Sequence, residues 1–106
     1  MDHRLIKIKR LIVAGRCEFT LKAEPECAAD GLTRDDVIES ILIAQFVRTK
    51  NSRSPWRPDK RERLYIIDSF NFEGVPIYSK GVLRRPGTTD EEFYILVSGK
   101  RSVRSD

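Results

Sequence analysis

Toward the C-terminal end of this 106-residue chain, aromatic and cationic residues recur at alternating positions, in Tyr78-Ser79-Lys80 and again from Tyr94 through Ser98 to Lys100. In an extended segment every second side chain points to the same face. Tyr78, Lys80 and Arg84 would then project together, and so would Tyr94, Ser98 and Lys100. Such a face suits single-stranded RNA, because rings stack on bases while cations hold phosphates. The same groups could do acid–base work. RNA carries its own nucleophile, the 2′-hydroxyl, so cleavage needs a group to take that proton, another to protonate the leaving oxygen, and cations to stabilise the phosphorane. Lysine and tyrosine can serve only where the site shifts their pKa; neighbouring cations favour neutral lysine and ionised tyrosine. This chemistry calls for no metal and no cofactor. An ordinary solvent-facing sheet could carry the same residues, with Tyr and Lys pairing across strands at low energetic value.

The charge distribution points the same way. The chain has 20 Lys plus Arg against 16 Asp plus Glu, a formal net charge of +4. Between Gln45 and Arg63 there are seven basic residues and two acidic ones, a local +5 that exceeds the total. Further basic groups lie at Arg84 and Arg85 and at Lys100, Arg101 and Arg104. Clustered Lys and Arg supply most non-specific affinity for a polyanion. A solvated loop and a frayed tail would show the same counts.

Several chemistries are excluded. There is no glycine-rich phosphate loop, no H-E-x-x-H and no paired-cysteine motif. Cys17, Cys27 and His3 cannot supply four Cys/His ligands to a structural zinc, and two thiols are not a secreted disulfide framework. His3 reads as an exposed spectator, and the cysteines, with no evident histidine partner, as small buried hydrophobes. Trp56, in Ser54-Pro55-Trp56-Arg57-Pro58, could stack on a base or a partner, or pack its loop onto the sheet. Hydrophobic residues are 40% and charged residues 34%, the balance of a soluble globular domain, and the length fits one such domain spanning 1–106. No stretch approaches the roughly 20 apolar residues of a membrane span. The start, Met1-Asp2-His3-Arg4, lacks the apolar segment of a secretion signal, so a cytoplasmic location is expected.

These side chains need elements to position them. Leu5, Ile8, Leu11 and Ile12 have helical spacing, with Asp2 or His3 at the start and Gly15 where a left-handed cap would fall. Lys7, Lys9 and Arg10 would line its outer face. Cys17 to Thr20 reads as a short extended piece, followed by a helical turn or two from Ala23, or from Pro25, to Ala29. Thr33-Arg34-Asp35-Asp36 is a capping sequence, and Val37, Ile38, Ile41, Leu42 and Ala44 form the stripe of the helix after it. Its acids favour the positive end of the helix dipole and are not read as a catalytic pair. Asn51 to Lys60 reads as loop or strand edge. Three strands are expected at Arg63 to Phe70, Val75 to Leu83 and Glu92 to Gly99, turning at Asn71–Gly74 and at Arg85–Asp90. With Gln45 to Lys50 as a possible fourth, the expected fold is α+β: an antiparallel sheet of three to four strands with N-terminal helices packed on one face.

Taken together, several segments resemble the small MqsR-like toxins of the RelE superfamily. They are the helix ending in Ala14-Gly15, Phe19-Thr20, Asp30-Gly31-Leu32-Thr33, Val75-Pro76-Ile77-Tyr78-Ser79-Lys80 and Ile95-Leu96-Val97-Ser98-Gly99-Lys100. The likeness covers most of the chain in element order, through short motifs. It implies a RelE/MqsR-like fold and the toxin role of a type II toxin–antitoxin pair: an mRNA endoribonuclease without a cofactor, neutralised by a cognate antitoxin that can carry a zinc-finger domain. Some members act with the ribosome. Tyr78 and Lys80 match the family's V-Y-x-K-like strand, and Lys100 its V-S-x-K-like segment. The family glutamine has no counterpart, Tyr65 falling near its place, and a family lysine falls near Lys50. The resemblance and the strand pattern nominate Tyr78, Lys80 and Lys100 as catalytic. Lys50, Arg57, Arg61, Arg63, Tyr65, Arg84, Tyr94 and Arg101 are the expected RNA contacts. A non-catalytic nucleic-acid- or protein-binding module on the same scaffold is the competing expectation.

Overall fold

The computed structural model of the chain describes residues 2–54, 57–87 and 90–102, and between 53 and 60 it describes no side chains. Trp56 and Arg104 therefore lie outside the described residues, as does the side chain of Arg57. The elements run α1 (His3–Val13), β1 (Cys17–Phe19), α2 (Ala23–Ala29), α3 (Arg34–Leu42), β2 (Arg48–Ser54), β3 (Arg57–Phe70), β4 (Pro76–Arg84) and β5 (Phe93–Arg101).

The helix boundaries follow from side-chain chemistry near the backbone. Asp2 accepts the Arg4 N–H and caps α1, and Gly15 takes a φ of +78° just past its end, where a side chain would be strained. Thr33 and Asp36 form a complete capping box at α3. Asp36 also accepts from the Asn71 side chain at 3.1 Å, and Glu39 accepts the Phe72 N–H at 3.0 Å, so α3 holds the β3–β4 turn. In α2 the third residue is Pro25, whose missing N–H has no intrahelical partner to lose in a first turn.

The fold is α+β, but the sheet differs from the expected one. Among the described residues it has five strands in the order β1-β5-β4-β3-β2, and it is mixed. Strands β2 to β5 form the antiparallel meander. β1 adds beside β5 in parallel, with Cys17, Glu18 and Phe19 opposite Tyr94, Ile95 and Leu96. A three-residue segment carries too little pattern to announce its partner, and the pairing is made by Thr20 and Tyr94 N–H groups bonding to Leu96 and Arg16 carbonyls. The basic segment expected as loop or edge is edge strand β2 followed by the start of β3, which extends to Arg57.

One face of the sheet carries the core. Leu5, Ile8, Val37 and Ile41 from the helices pack there with Tyr65, Ile67, Ile77, Tyr94 and Leu96 from the strands. Fully burying each of the aliphatic side chains contributes about 1.5–3 kcal/mol. A β-bulge decides which residues of β5 reach this core. Tyr78 pairs with Lys100 and Lys80 with Ser98, but Gly81 pairs with Leu96, so β5 carries one extra residue, Val97. Strict alternation would have kept Tyr94, Leu96, Ser98 and Lys100 on one side. The bulge sends Tyr94 and Leu96 to the helices and leaves Ser98 and Lys100 on the open face. Ile95 lies opposite Val82 on the other face. Among the described residues, no helix is long and apolar enough to cross a membrane.

Candidate functional site

The open face holds a cleft of about 380 Å³ lined by Glu26, Asp68, Tyr78, Lys80, Ser98, Lys100 and Ser102. Strand register assembles its middle. Tyr78 on β4 has Asp68 opposite it on β3 and Lys100 opposite it on β5, and Lys80 stands across from Ser98. The Lys80 Nζ lies 5.7 Å and the Lys100 Nζ 5.5 Å from the centroid of the Tyr78 ring, within cation–π range. Neither lysine forms an ion pair among the described residues.

The two ends of the cleft are closed by polar contacts. Beyond β1 the edge of β5 has no strand partner among the described residues, and acids from the α2 region take its N–H groups: Gly99 donates to Glu26 at 2.8 Å and Arg101 to Asp30 at 2.8 Å. Gly99 allows α2 this close, since a Cβ there would lie 2.8 Å from the Cys27 Sγ. The Ser98 hydroxyl donates to the same Glu26 oxygen at 2.5 Å. That bond lowers the Glu26 carboxyl below the usual glutamate value; partial burial opposes the shift, and the Gly99 N–H reinforces it. At the other end Ser102 donates to Asp68 at 2.7 Å.

The nominated catalytic residues Tyr78, Lys80 and Lys100 thus lie together in one cleft. The nominated RNA contacts divide. Lys50 is exposed on β2, on the same face as Lys80 by register. Arg84 shares that face but stands six residues along β4 from Tyr78, roughly 20 Å away. It is also held by Glu62 at 2.7 Å. Tyr65 and Tyr94 are corrections: they are 8% and 0% exposed and belong to the core, Tyr94 through the bulge and Tyr65 through its pairing with Gly81. Arg61 and Arg63 alternate with Glu62 and Leu64 in phase with Tyr65, which places them on the helix-side face, away from Tyr78. Arg101 is in phase with Gly99 on that same side, and its Nε donates to the Asp30 carbonyl at 2.9 Å.

The acids of the cleft were not anticipated. Asp68 had a signal, a lone carboxylate within the apolar run from Leu64 to Phe70, which marks a strand face that meets water. Glu26 had none, because α2 brings it beside β5 only in the folded chain. With two lysines and two carboxylates the cleft brings cationic and anionic side chains together on one face. Among the described residues no group of three or more His, Cys, Asp and Glu is placed to hold a metal ion. Both cysteines are free thiols, and Cys27 is buried as expected while Cys17 is half-buried. Burial pushes the Cys17 thiol up to about 11 and raises Cys27, opposing any thiolate chemistry. Compared with protein-family models, curated proteins and solved structures, the chain has no significant match to any of them, so the geometry of this cleft is what the functional reading rests on.

Proposed function

We propose that the chain is the toxin component of a type II toxin–antitoxin pair, an endoribonuclease that cleaves mRNA without a metal. The observation that supports it most is the placement of Tyr78 between Lys80 and Lys100, with Asp68 in the same row, in a cleft on the face the helices leave open. The resemblance to MqsR-like toxins, which matches Tyr78, Lys80 and Lys100 to the family's motifs, adds support.

In this reading the 2′-oxygen of the bound strand loses its proton to a base in the cleft and bonds to the adjacent phosphorus. The bond from phosphorus to the 5′-oxygen then breaks, and that oxygen takes a proton. The products are a 2′,3′-cyclic phosphate and a 5′-hydroxyl. Tyr78 and Lys100, register partners, are assigned to proton transfer and to the leaving group, with the Asp68 carboxylate beside them as a further proton acceptor. Lys80 holds the phosphate as charge builds on its oxygens. A cognate antitoxin would silence the protein, either by covering the cleft or by binding the helical side.

Induced expression of the wild type should arrest growth and cut transcripts, whereas Tyr78→Phe and Lys100→Ala should do neither. Equal RNA turnover by all three would sink the assignment. Salt-dependent RNA binding with no cleavage, ribosomes included, would make the protein a binding module instead.

A further inference from the structure

Asp68 lines a second groove as well. This groove, of about 340 Å³, is formed by Ile43, Gln45, Phe46, Asp68, Ser69 and Phe70. Its wall is an aromatic ring held out into solvent. Phe46 is 79% exposed, yet Ala44 and Val47 on either side of it are buried in the core, and the Lys9 Nζ fastens the Ala44 carbonyl at 2.6 Å. The connection from α3 to β2 is thus anchored on both sides of a phenylalanine that contributes little to the core. Phe70 is on the open face of β3, two residues from Asp68, and is 39% exposed.

We propose that this groove is a nucleobase subsite, in which an unpaired base of the RNA strand stacks on Phe46 while the neighbouring phosphate lies against Lys80 and Lys100. The proposal rests on the reading of the cleft as an RNA site and specifies how the strand enters it. Three observations favour a base as the occupant. Asp68 lines both the groove and the lysine-bearing cleft, so the two adjoin and one strand can run from one to the other. Half of the lining is apolar, Ile43, Phe46 and Phe70, and in the polar half the Gln45 amide and the Asp68 carboxylate are partners for a base edge. Its volume is that of a small-ligand pocket, whereas a stable protein partner needs about 800 Å² of surface per side.

The test uses fluorescence anisotropy with two labelled strands that cannot cleave themselves: a 2′-O-methyl RNA and a backbone of the same length with no bases. Stacking on an aromatic side chain strengthens binding roughly 5- to 150-fold per base. The wild type should bind the base-bearing strand tighter by about that factor. Phe46→Ala should lose this margin while its affinity for the baseless backbone stays the same. Phe72→Ala, exposed on the β3–β4 turn outside the groove, should keep it. If the wild type discriminates and Phe46→Ala discriminates equally, the base sits elsewhere and the subsite is overturned while the RNA reading stands. Equal affinity of the wild type for both strands also overturns the subsite. Failure of the wild type to bind either strand removes the RNA reading, and the subsite with it.

Discussion

The Tyr94 ring lies across Gly81, so close that a Cβ on Gly81 would come 2.2 Å from the Tyr94 Cζ. Gly81 pairs with Leu96 and Tyr94 with Leu83, so the ring reaches diagonally over the one position of β4 without a side chain. The contact stands next to the bulge at Val97, and together they settle which half of β5 enters the core. Gly81→Ala should therefore destabilise the fold by about 3 kcal/mol or more, in the range of severe overpacking. Urea denaturation measures it. Tyr94→Leu, which lacks the crowded ring atoms, should make the same glycine change cheaper in a double-mutant cycle; simple additivity would argue against the contact.

The Tyr94 hydroxyl is buried and has no hydrogen-bond partner among the described residues. Burial raises the phenol's pKa, foremost by disfavouring the phenolate. An unsatisfied buried hydroxyl costs about 1–3 kcal/mol, so Tyr94→Phe should stabilise the protein by about 1 kcal/mol, a rise in Tm of several degrees. Calorimetry checks this. RNA affinity should not change, since the residue lies on the helix side. A loss of RNA affinity would return Tyr94 to the binding surface.

Cleavage should depend on the two sides of the sheet unequally. Tyr78→Phe and Lys100→Ala should each lower single-turnover cleavage by about 10²–10⁴-fold, the usual contribution of a positioned acid or base. Arg61→Ala and Arg63→Ala, on the opposite face, should leave the chemical step unchanged. A Gel assay on one labelled transcript compares all four, and a larger loss in the arginine variants would place the reaction on the wrong face.

The Glu26 contact should be visible in acid. Because the Ser98 and Gly99 bonds lower its folded-state pKa, Glu26 contributes stability that is present above its ordinary value of 4.5 and is lost as pH falls through the lower folded value. Glu26→Gln should be less stable than the wild type at neutral pH, and the gap should close as the pH drops below 4.5. Taking the difference between the two proteins removes Asp36, which shifts in the same direction through its bonds to Thr33 and Asn71. A gap independent of pH would mean that Glu26 acts by packing alone.

The parts legible in the sequence are those governed by near neighbours. Thr33 and Asp36 announce α3 because a capping box is closed within three residues, and Asp2 and Gly15 bound α1 for similar reasons. Tyr78 and Lys80 share a face because alternation is a steric property of any strand. Alternation alone does not place Tyr94, because it does not say where a bulge interrupts the count, and a likeness of short motifs does not say which face of the sheet Tyr65 takes.

By itself, then, the sequence determined the helices, the antiparallel succession of β3, β4 and β5 and the chemical types that reach the C-terminal strands. Only the tertiary structure decided the rest. It inserted Val97 as a bulge, so that Lys100 faces solvent while Tyr94 enters the core, because burying that ring over Gly81 removes apolar surface that strict alternation would leave in water. It set β1 in parallel beside half of β5, and left the other half to Glu26 and Asp30, because unpaired edge N–H groups need acceptors. The carboxylate at one end of the cleft is there to satisfy a backbone group, a requirement that exists only once the strands have met.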